Sequence, residues 1–208
     1  YGVTKPGEVI WSHAVNSTEK LNRILRDSSI MMIESDIRVS SYGTPIAVHP
    51  PETESDLSFD QLINQMRDSK KGLKLDFKDP EILIQCLERL KKTGLSQPIL
   101  LNADILQGNG ANPSKFSPLG FLALCKKYYP LGILSIGWTT IADPDFGYTK
   151  QNIAEMRRIS LDLREVTFPV RACLLPNSWK QINSLVQQKE HTITVWNNEP
   201  IDDELKDW

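Results

Sequence analysis

Cysteine, long hydrophobic runs and an excess of charge of one sign are all scarce in this sequence. Its three cysteines, Cys86, Cys125 and Cys173, lie scattered over 208 residues, which argues against a disulfide framework or a zinc site. No apolar run approaches the roughly 20 residues that span a bilayer, so we predict no transmembrane segment. The 24 basic and 26 acidic residues are well mixed, so we predict no binding to nucleic acid.

The start of the chain carries no recognisable targeting signal. Residues 1–11 lack the charged start and apolar stretch of a signal peptide. The chain begins with Tyr1 rather than Met, so a leader or anchor could have been removed, and the localisation stays open between intracellular and extracellular. No shift in composition divides the sequence, and a chain of this length can bury one sizeable core. We therefore predict a single domain, residues 1–208.

Short β-forming stretches alternate with amphipathic helical patterns along the chain. This alternation is typical of a parallel α/β architecture. Residues 80–92 have apolar side chains at helical spacing, and Ser58 with Gln61 forms a capping-box pattern. After Asp36 the chain turns through Gly43 and returns at residues 45–49, which predicts a hairpin-like excursion. The seven predicted strands are residues 9–13, 30–37, 73–78, 99–105, 133–138, 166–172 and 192–197.

Nearly every predicted strand finishes in polar side chains, which would be costly to bury in an ordinary core. In a parallel barrel the carboxyl ends of the strands share one rim, where the active sites of this fold are built. We therefore predict an α/β fold, a TIM-like (β/α) barrel whose site gathers residues distant in sequence. The polar strand ends are His13, Glu34, Asp36, Asp76, Lys78, Asn102, Asp104, Trp138, Arg171, Trp196 and Asn197.

Three of these residues suggest a metal site. Glu34 and Asp36 are two apart on one strand, so both side chains project to the same face, and Asp76 joins them from the next barrel strand. Converging carboxylates repel one another unless a cation compensates. Oxygen ligands select a hard ion, with Mg²⁺ as the first candidate and Ca²⁺ as the second. The alternative is a solvated strand edge without a metal.

Two histidines and a lysine extend this interpretation to catalysis. His13 and His49 beside a cation could act as nucleophile or base and as general acid, and the alternative is two ordinary surface histidines. Lys78 lies two residues beyond Asp76 on the same face, where it could hold a phosphate oxygen. A salt bridge to Asp36 or Asp76 is its other role, and the two roles can coexist.

Further polar and aromatic residues are candidates for substrate binding. Asn16 falls inside the same site. Asn102 and Arg171 either complete its polar lining or form internal hydrogen bonds. Trp138 and Trp196 either stack on a substrate or pack at the rim.

Four segments resemble the glycerophosphodiester phosphodiesterase superfamily in order and spacing, and the His-x-x-Asn form is similar to its sphingomyelinase D branch. That resemblance implies His13 and His49 as the catalytic pair and Lys78 as a substrate-binding lysine. It also implies Glu34, Asp36 and Asp76 as Mg²⁺ ligands. The segments are His13-Ala14-Val15-Asn16, Ile33-Glu34-Ser35-Asp36-Ile37, Val48-His49 and Asp76-Phe77-Lys78, and Thr194-Val195-Trp196-Asn197 is similar to the Trp-containing strand near the end of such domains.

A larger set of segments, spread over nearly the entire chain, resembles the menorin family. Some members of that family are extracellular proteins linked to neuronal dendrite patterning through partner binding. The segments are Trp11-Ser12-His13-Ala14-Val15-Asn16-Ser17, His49-Pro50-Pro51, Lys74-Leu75-Asp76-Phe77-Lys78, Asn102-Ala103-Asp104-Ile105, Gly137-Trp138-Thr139-Thr140 and Phe168-Pro169-Val170-Arg171-Ala172.

Two features depart from the superfamily pattern. Ala14 stands where glycerophosphodiesterases have Arg after the first histidine, which leaves the substrate open. The superfamily also has an eighth strand after the Trp-containing strand, and no such strand is found here. Either the barrel lacks this strand and is open at that seam, or residues absent from the chain complete it.

We predict a metal-dependent phosphodiesterase of the phosphodiesterase barrel type. Its substrate would be a small phosphodiester or lipid head group, such as a lysophospholipid, sphingolipid or glycerophosphodiester, and hydrolysis and transfer to a cyclic phosphate are both open. The alternative is a catalytically silent barrel that binds a protein partner in cell-surface adhesion or neuronal signalling. The presence of both histidines and all three acids favours chemistry, because a pure binding module has no need of that set.

Overall fold

The computed structural model describes residues 6–187 and 190–197, and the chain forms two compact units with interleaved segments. Unit 1 takes the chain up to Asn102 and again Leu122–Ile133, and unit 2 takes Ala103–Phe121 and the chain from Leu134 onward. Two strands and one helix therefore have residues in both units. The interpretation of residues 1–208 as a single domain stays a prediction.

Unit 1 contains parallel strands in the order β1-β2-β4-β5, with β3 antiparallel on β2. Helices connect the parallel strands, as such connections require. The predicted excursion after Asp36 is confirmed, because β2 continues to Val39 and pairs with β3. The elements are β1 (Trp11–Ser12), α1 (Thr18–Arg26), β2 (Met32–Val39), β3 (Pro45–Ala47), α2 (Phe59–Gln65), β4 (Gly72–Phe77), α3 (Leu83–Thr93) and the first residues of β5 (Ile99–Gln107).

Local sequence signals account for the helix boundaries in unit 1. The predicted capping box before α2 is present, with Ser58 accepting from the Gln61 N–H and the Gln61 side chain accepting from the Ser58 N–H. Helix α3 buries its apolar stripe and ends at Gly94, whose φ of 65° suits the left-handed C-cap. The predicted helix from residue 80 differs at its start, where Pro80–Ile82 forms a 3₁₀ turn before α3.

Unit 2 contains the remainder of β5 and the strand order β5-β6-β7-β8, with β6, β7 and β8 paired in parallel. Thr149 caps α5 with a capping box shared with Asn152. The elements are β6 (Ile133–Thr139), α5 (Lys150–Ser160), β7 (Val166–Arg171), α6 (Trp179–Asn183) and β8 (His191–Trp196), and α4 (Pro118–Tyr128) begins in unit 2 and continues into unit 1.

The predicted α/β class of the TIM-like type is confirmed. Each of the seven predicted strands is present, with ends that differ by a few residues. Within residues 6–187 and 190–197 the parallel order contains these seven strands, and whatever follows Asn197 lies outside the described residues. Over the same ranges, none of the helices has the length and apolar character needed to cross a membrane.

A close backbone approach joins the ends of β5 and β6 in unit 2. The N–H of Gly108 donates to the carbonyl of Thr139 at 3.1 Å. A Cβ atom at Gly108 would lie 2.1 Å from that oxygen. Because this contact is with backbone, the position tolerates no side chain without movement of a strand end.

We predict that Gly108→Ala lowers the free energy of unfolding by about 1–3 kcal/mol, since overpacking forces the backbone to shift. Urea unfolding followed by circular dichroism measures the change. Gly7→Ala is the matched control, because a Cβ at Gly7 would meet no atom within 4 Å. Equal free energies for the two variants would contradict the close approach.

Candidate metal and active site

The three predicted acidic ligands lie together in unit 1. Asp36 of β2 is paired in register with Asp76 of β4, and Glu34 lies two residues before Asp36 on the same face. One oxygen of each carboxylate lies within 4.8 Å of the others. Glu34 and Asp36 are almost fully buried, while Asp76 is partly exposed. Three oxygen donors at this separation fit a hard divalent cation such as Mg²⁺ or Ca²⁺.

Two lysines of β4 and its continuation lie next to the acids. The ammonium of Lys78 is 2.6 Å from Asp76 and 3.0 Å from Asp36, so the salt-bridge alternative for Lys78 is present in the structure. Lys74 is paired in register with Glu34 and is only 6% exposed. We did not predict a role for Lys74 from the sequence. The signal was the charged-apolar alternation from Lys74 to Lys78, which places both lysines and Asp76 on one face.

Two asparagines hold the carboxylates in place. The Asn16 amide nitrogen donates to Asp36 at 2.8 Å, and its oxygen accepts from the Asp36 N–H at 3.0 Å. The Asn102 amide donates to Asp76 at 2.7 Å. We expected Asn16 to bind substrate, and Asn102 either to complete the polar lining or to form internal hydrogen bonds. The amide groups of both residues donate to the acids, as groups around metal ligands commonly do, and their contact with a substrate stays a prediction.

His13 follows β1 in a turn that is fastened to Glu34. The N–H of Ala14 donates to the Glu34 carboxylate at 2.7 Å, and Lys20 of α1 donates to the His13 carbonyl at 2.6 Å. Ala14 has a φ of 53°, a left-handed conformation that the sequence did not signal and that the fastened turn maintains. The His13 Nε2 atom lies 3.4 Å from Glu34, and nearly half of the side chain is exposed. The imidazole is therefore accessible beside the cluster.

The cluster shifts the pKa values of its own members. Burial, followed by the charges of Asp36 and Asp76, raises the pKa of Glu34 to about 7. Burial would also raise the pKa of Asp76, but Lys78 and Lys74 outweigh it and the net shift is downward. Burial lowers the pKa of His13 below its usual 6.5, which favours the neutral imidazole that a general base requires.

His49 lies on the segment that returns from β3. The N–H of the preceding Val48 donates to the Asp36 carbonyl at 2.9 Å, so the backbone before His49 is fixed to the strand that carries two of the acids. The Nδ1 atom of His49 lies 2.6 Å from the Pro50 carbonyl. A carbonyl can only accept, so Nδ1 carries the hydrogen and Nε2 is the atom that can exchange a proton with a ligand.

The predicted residues Trp138, Arg171 and Trp196 belong to unit 2. Trp138 is 2% exposed, and its ring packs against Tyr148 with centroids 5.0 Å apart. The adjacent Gly137 faces the Asp104 carboxylate, so Trp138 points to the opposite face of β6. Of the two alternatives for Trp138, stacking on a substrate and packing, the burial of the side chain and its contact with Tyr148 favour packing.

Arg171 and Trp196 form a pair within unit 2. They are cross-strand neighbours on β7 and β8, and the guanidinium carbon of Arg171 lies 5.2 Å from the Trp196 ring centroid, within the range of a cation–π contact. Among the described residues, the Arg171 Nε and Trp138 Nε1 atoms are the buried side-chain polar atoms without a hydrogen-bond partner. We have no structural account of the Trp138 nitrogen.

The parallel strands and their helices define an α/β fold of the TIM-like type, and the acidic cluster of unit 1 is a candidate site for a hard cation. The chain belongs to the menorin family, because the sequence model of the Menorin N-terminal domain matches residues 6–206. The chain is also 35% identical over 201 residues to Protein FAM151B of Homo sapiens, an alignment that covers 91% of this chain and 72% of that protein. The family predicted from the sequence is thereby confirmed.

Two solved structures share weaker similarity with the chain. The S. officinalis PLC21 structure gives a TM-score of 0.43 at 11% identity and covers 91% of this chain, which spans 28% of that protein. The glycerophosphodiester phosphodiesterase from Agrobacterium tumefaciens str. C58 gives a TM-score of 0.44 at 11% identity, with 90% of this chain and 95% of that chain covered.

The raised pKa of Glu34 predicts a pH-dependent stability. The folded state without metal holds the Glu34 proton to about pH 7, whereas the unfolded chain releases it near pH 4.5, so the wild type should lose stability as the pH rises between these values. Relative to Glu34→Gln, the expected loss is on the order of 3 kcal/mol. Urea unfolding in EDTA across this pH range measures it. If the difference in free energy of unfolding between the wild type and Glu34→Gln does not change with pH, the raised pKa of Glu34 is contradicted.

Proposed function

We propose that this chain is a metal-dependent phosphodiesterase whose site is the carboxylate cluster of unit 1 together with His13 and His49. One observation carries the proposal: the His13 imidazole lies 3.4 Å from Glu34, which is one of three carboxylates whose oxygen atoms lie within 4.8 Å of one another. Cleavage of a phosphodiester needs a proton acceptor beside a positive charge that stabilises the phosphoryl oxygens. The cluster and His13 supply a place for both.

The two histidines take opposite roles in this proposal. Neutral His13 removes the proton of an attacking water or of a hydroxyl group on the substrate, or attacks the phosphorus itself to form a phosphohistidine whose P–N bond water then cleaves. The bond from phosphorus to the leaving oxygen then breaks, and His49 gives that oxygen a proton through Nε2. Attack by water gives hydrolysis, and attack by the substrate hydroxyl gives a cyclic phosphate.

The acids, asparagines and Lys78 prepare the site for this step. Glu34, Asp36 and Asp76 would hold Mg²⁺ or Ca²⁺, and the bound ion would supply positive charge to the non-bridging phosphoryl oxygens. Lys78 orients Asp36 and Asp76, and its side chain remains 20% exposed. Its ammonium can therefore also meet a phosphoryl oxygen at the surface of the cluster.

The proposed substrate is a small phosphodiester or a lipid head group. The family relationship does not specify which one, and Ala14 supplies no cation to a glycerol phosphate. Arg171 and Trp196 are a separate proposal within unit 2, where a stacked guanidinium and indole would hold a polar head group. The Arg171 guanidinium would attract an anionic group of the ligand, and the Trp196 ring would pack against an apolar or cationic group.

We predict that the wild type binds Mg²⁺ or Ca²⁺ in calorimetric titration, and that Glu34→Gln weakens binding at least tenfold because one of three carboxylates is lost. Binding should be tighter at pH 8 than at pH 6, since the ligands must be deprotonated. Glu19→Gln, an exposed acid on α1, is the matched control. Absence of wild-type binding at millimolar concentrations would refute the metal site.

We predict that His13→Ala and His49→Ala each lower turnover by about 10²–10⁴-fold, the usual contribution of a positioned acid or base. The assay offers lysophospholipids, sphingomyelin and glycerophosphodiesters with Mg²⁺. Both histidines are exposed, so the variants should keep the melting temperature of the wild type. Glu19→Ala serves as the control for a substitution near His13 that leaves the site intact.

Two results would reject parts of this proposal. Turnover that survives both histidine substitutions would reject the assigned catalytic roles. If metal binds and no substrate in the panel is cleaved, the result would favour the binding-module alternative, in which the domain recognises a protein partner without chemistry.

A further inference from the structure

Lys74 is a buried lysine in the middle of a sheet, which is an unusual place for a charge. It is 6% exposed and lies on β4, with Glu34 as its cross-strand neighbour on β2 and Leu100 as its neighbour on β5. Asp76 is two residues further along the same strand and therefore on the same face. Lys74 therefore lies on the face of the sheet that carries all three carboxylates.

Burying an ammonium group costs several kcal/mol unless an opposite charge compensates. Lys74 is paired in register with Glu34 and lies two residues before Asp76 on the same face, so its positive charge opposes the mutual repulsion of the carboxylates. The two groups of charges therefore stabilise each other. Three carboxylates and the two lysines Lys74 and Lys78 leave a formal charge of −1 on the cluster when every group is ionised.

The position of Lys74 separates its role from that of Lys78. Lys78 is 20% exposed and bridges Asp36 and Asp76, so it can meet a ligand from solvent. Lys74 lies two residues before Asp76, deeper in the strand, and only 6% of the residue is exposed. We therefore expect it to act on the carboxylates through its charge, as their neighbour on the same face of the sheet.

We propose that Lys74 is a built-in counter-cation of the carboxylate cluster, which keeps the cluster stable without a metal ion and weakens the affinity of the cluster for one. The second half of this statement rests on the proposed metal site, whereas the first half does not. Lys74 is accordingly a positioning residue. It sets how strongly the site depends on a divalent cation.

The first test is a double-mutant cycle in EDTA with Lys74→Met, Glu34→Gln and the double variant. Methionine keeps the length of the side chain and removes the charge. Lys74→Met should lower the melting temperature by about 5 °C or more. In the Glu34→Gln background at least half of this loss should disappear, because one of the three mutually repelling carboxylates is then absent. Lys70→Met, an exposed lysine in a loop of unit 1, should change the melting temperature little.

If Lys74→Met does not fold in EDTA, the same comparison is made by restoration. Folding should return on addition of Glu34→Gln, and also with millimolar Mg²⁺ if the metal site is correct. Equal losses in the two backgrounds, or no recovery by Glu34→Gln, would overturn the counter-cation role.

The second test is the affinity for Mg²⁺ measured by calorimetry on the wild type, Lys74→Met and Lys70→Met. Removal of the Lys74 charge should tighten Mg²⁺ binding at least about fivefold, which is the effect expected for a unit charge about 8 Å from a divalent ion at the dielectric constant of water. A purely structural role would not tighten binding. Unchanged or weaker binding in Lys74→Met, with binding in the wild type, overturns the second half of the proposal. Absence of binding in every protein refutes the metal site and that half together, and the cycle alone then decides the counter-cation role.

Discussion

Mutual repulsion among three carboxylates is the constraint around which unit 1 is arranged. Glu34 and Asp36 are almost fully buried, and Asp76 lies directly across from Asp36, so ionised forms of all three would be unstable alone. Lysines and amide groups lie next to the acids. Lys74 and Asn102 are on parallel strands, Lys78 directly follows β4, and Asn16 lies in the segment after β1. The strands of unit 1 therefore place charged and amide side chains beside the acids, in addition to forming the apolar core.

The same contacts orient the carboxylates in the absence of a ligand. Asp36 receives one hydrogen bond from the Asn16 amide and forms an ion pair with Lys78. Asp76 forms an ion pair with Lys78 and receives a hydrogen bond from Asn102. Preorganised ligands lose little entropy when a metal or substrate binds, which is the general advantage of a supported site. The same network also explains why the amides of Asn16 and Asn102 face inward, towards the acids.

The sequence allowed prediction of the fold class, the seven strands and the convergence of the acids, because strand alternation and the register of parallel neighbours follow directly from period-two patterns. It did not reveal the function of the amides or the burial of Lys74, since an isolated polar residue on a strand looks the same whether it faces a ligand or a neighbour. Trp138 shows the same limit. Its place at a strand end suggested the rim. Successive side chains of β6 point to opposite faces of the sheet, and the sequence alone did not show which face carries Trp138.

Both candidate catalytic histidines take their positions from one strand. The turn that carries His13 is tied to the carbonyl and carboxylate of Glu34, and the segment that carries His49 is tied to the carbonyl of Asp36. Strand β2 therefore anchors both segments, at Glu34 and at Asp36, which are two residues apart. Changes of length in α1, or in the loop between His49 and α2, would leave the spacing between Glu34 and Asp36 unchanged. Those two segments can therefore vary while the segments that carry His13 and His49 stay anchored at the same positions.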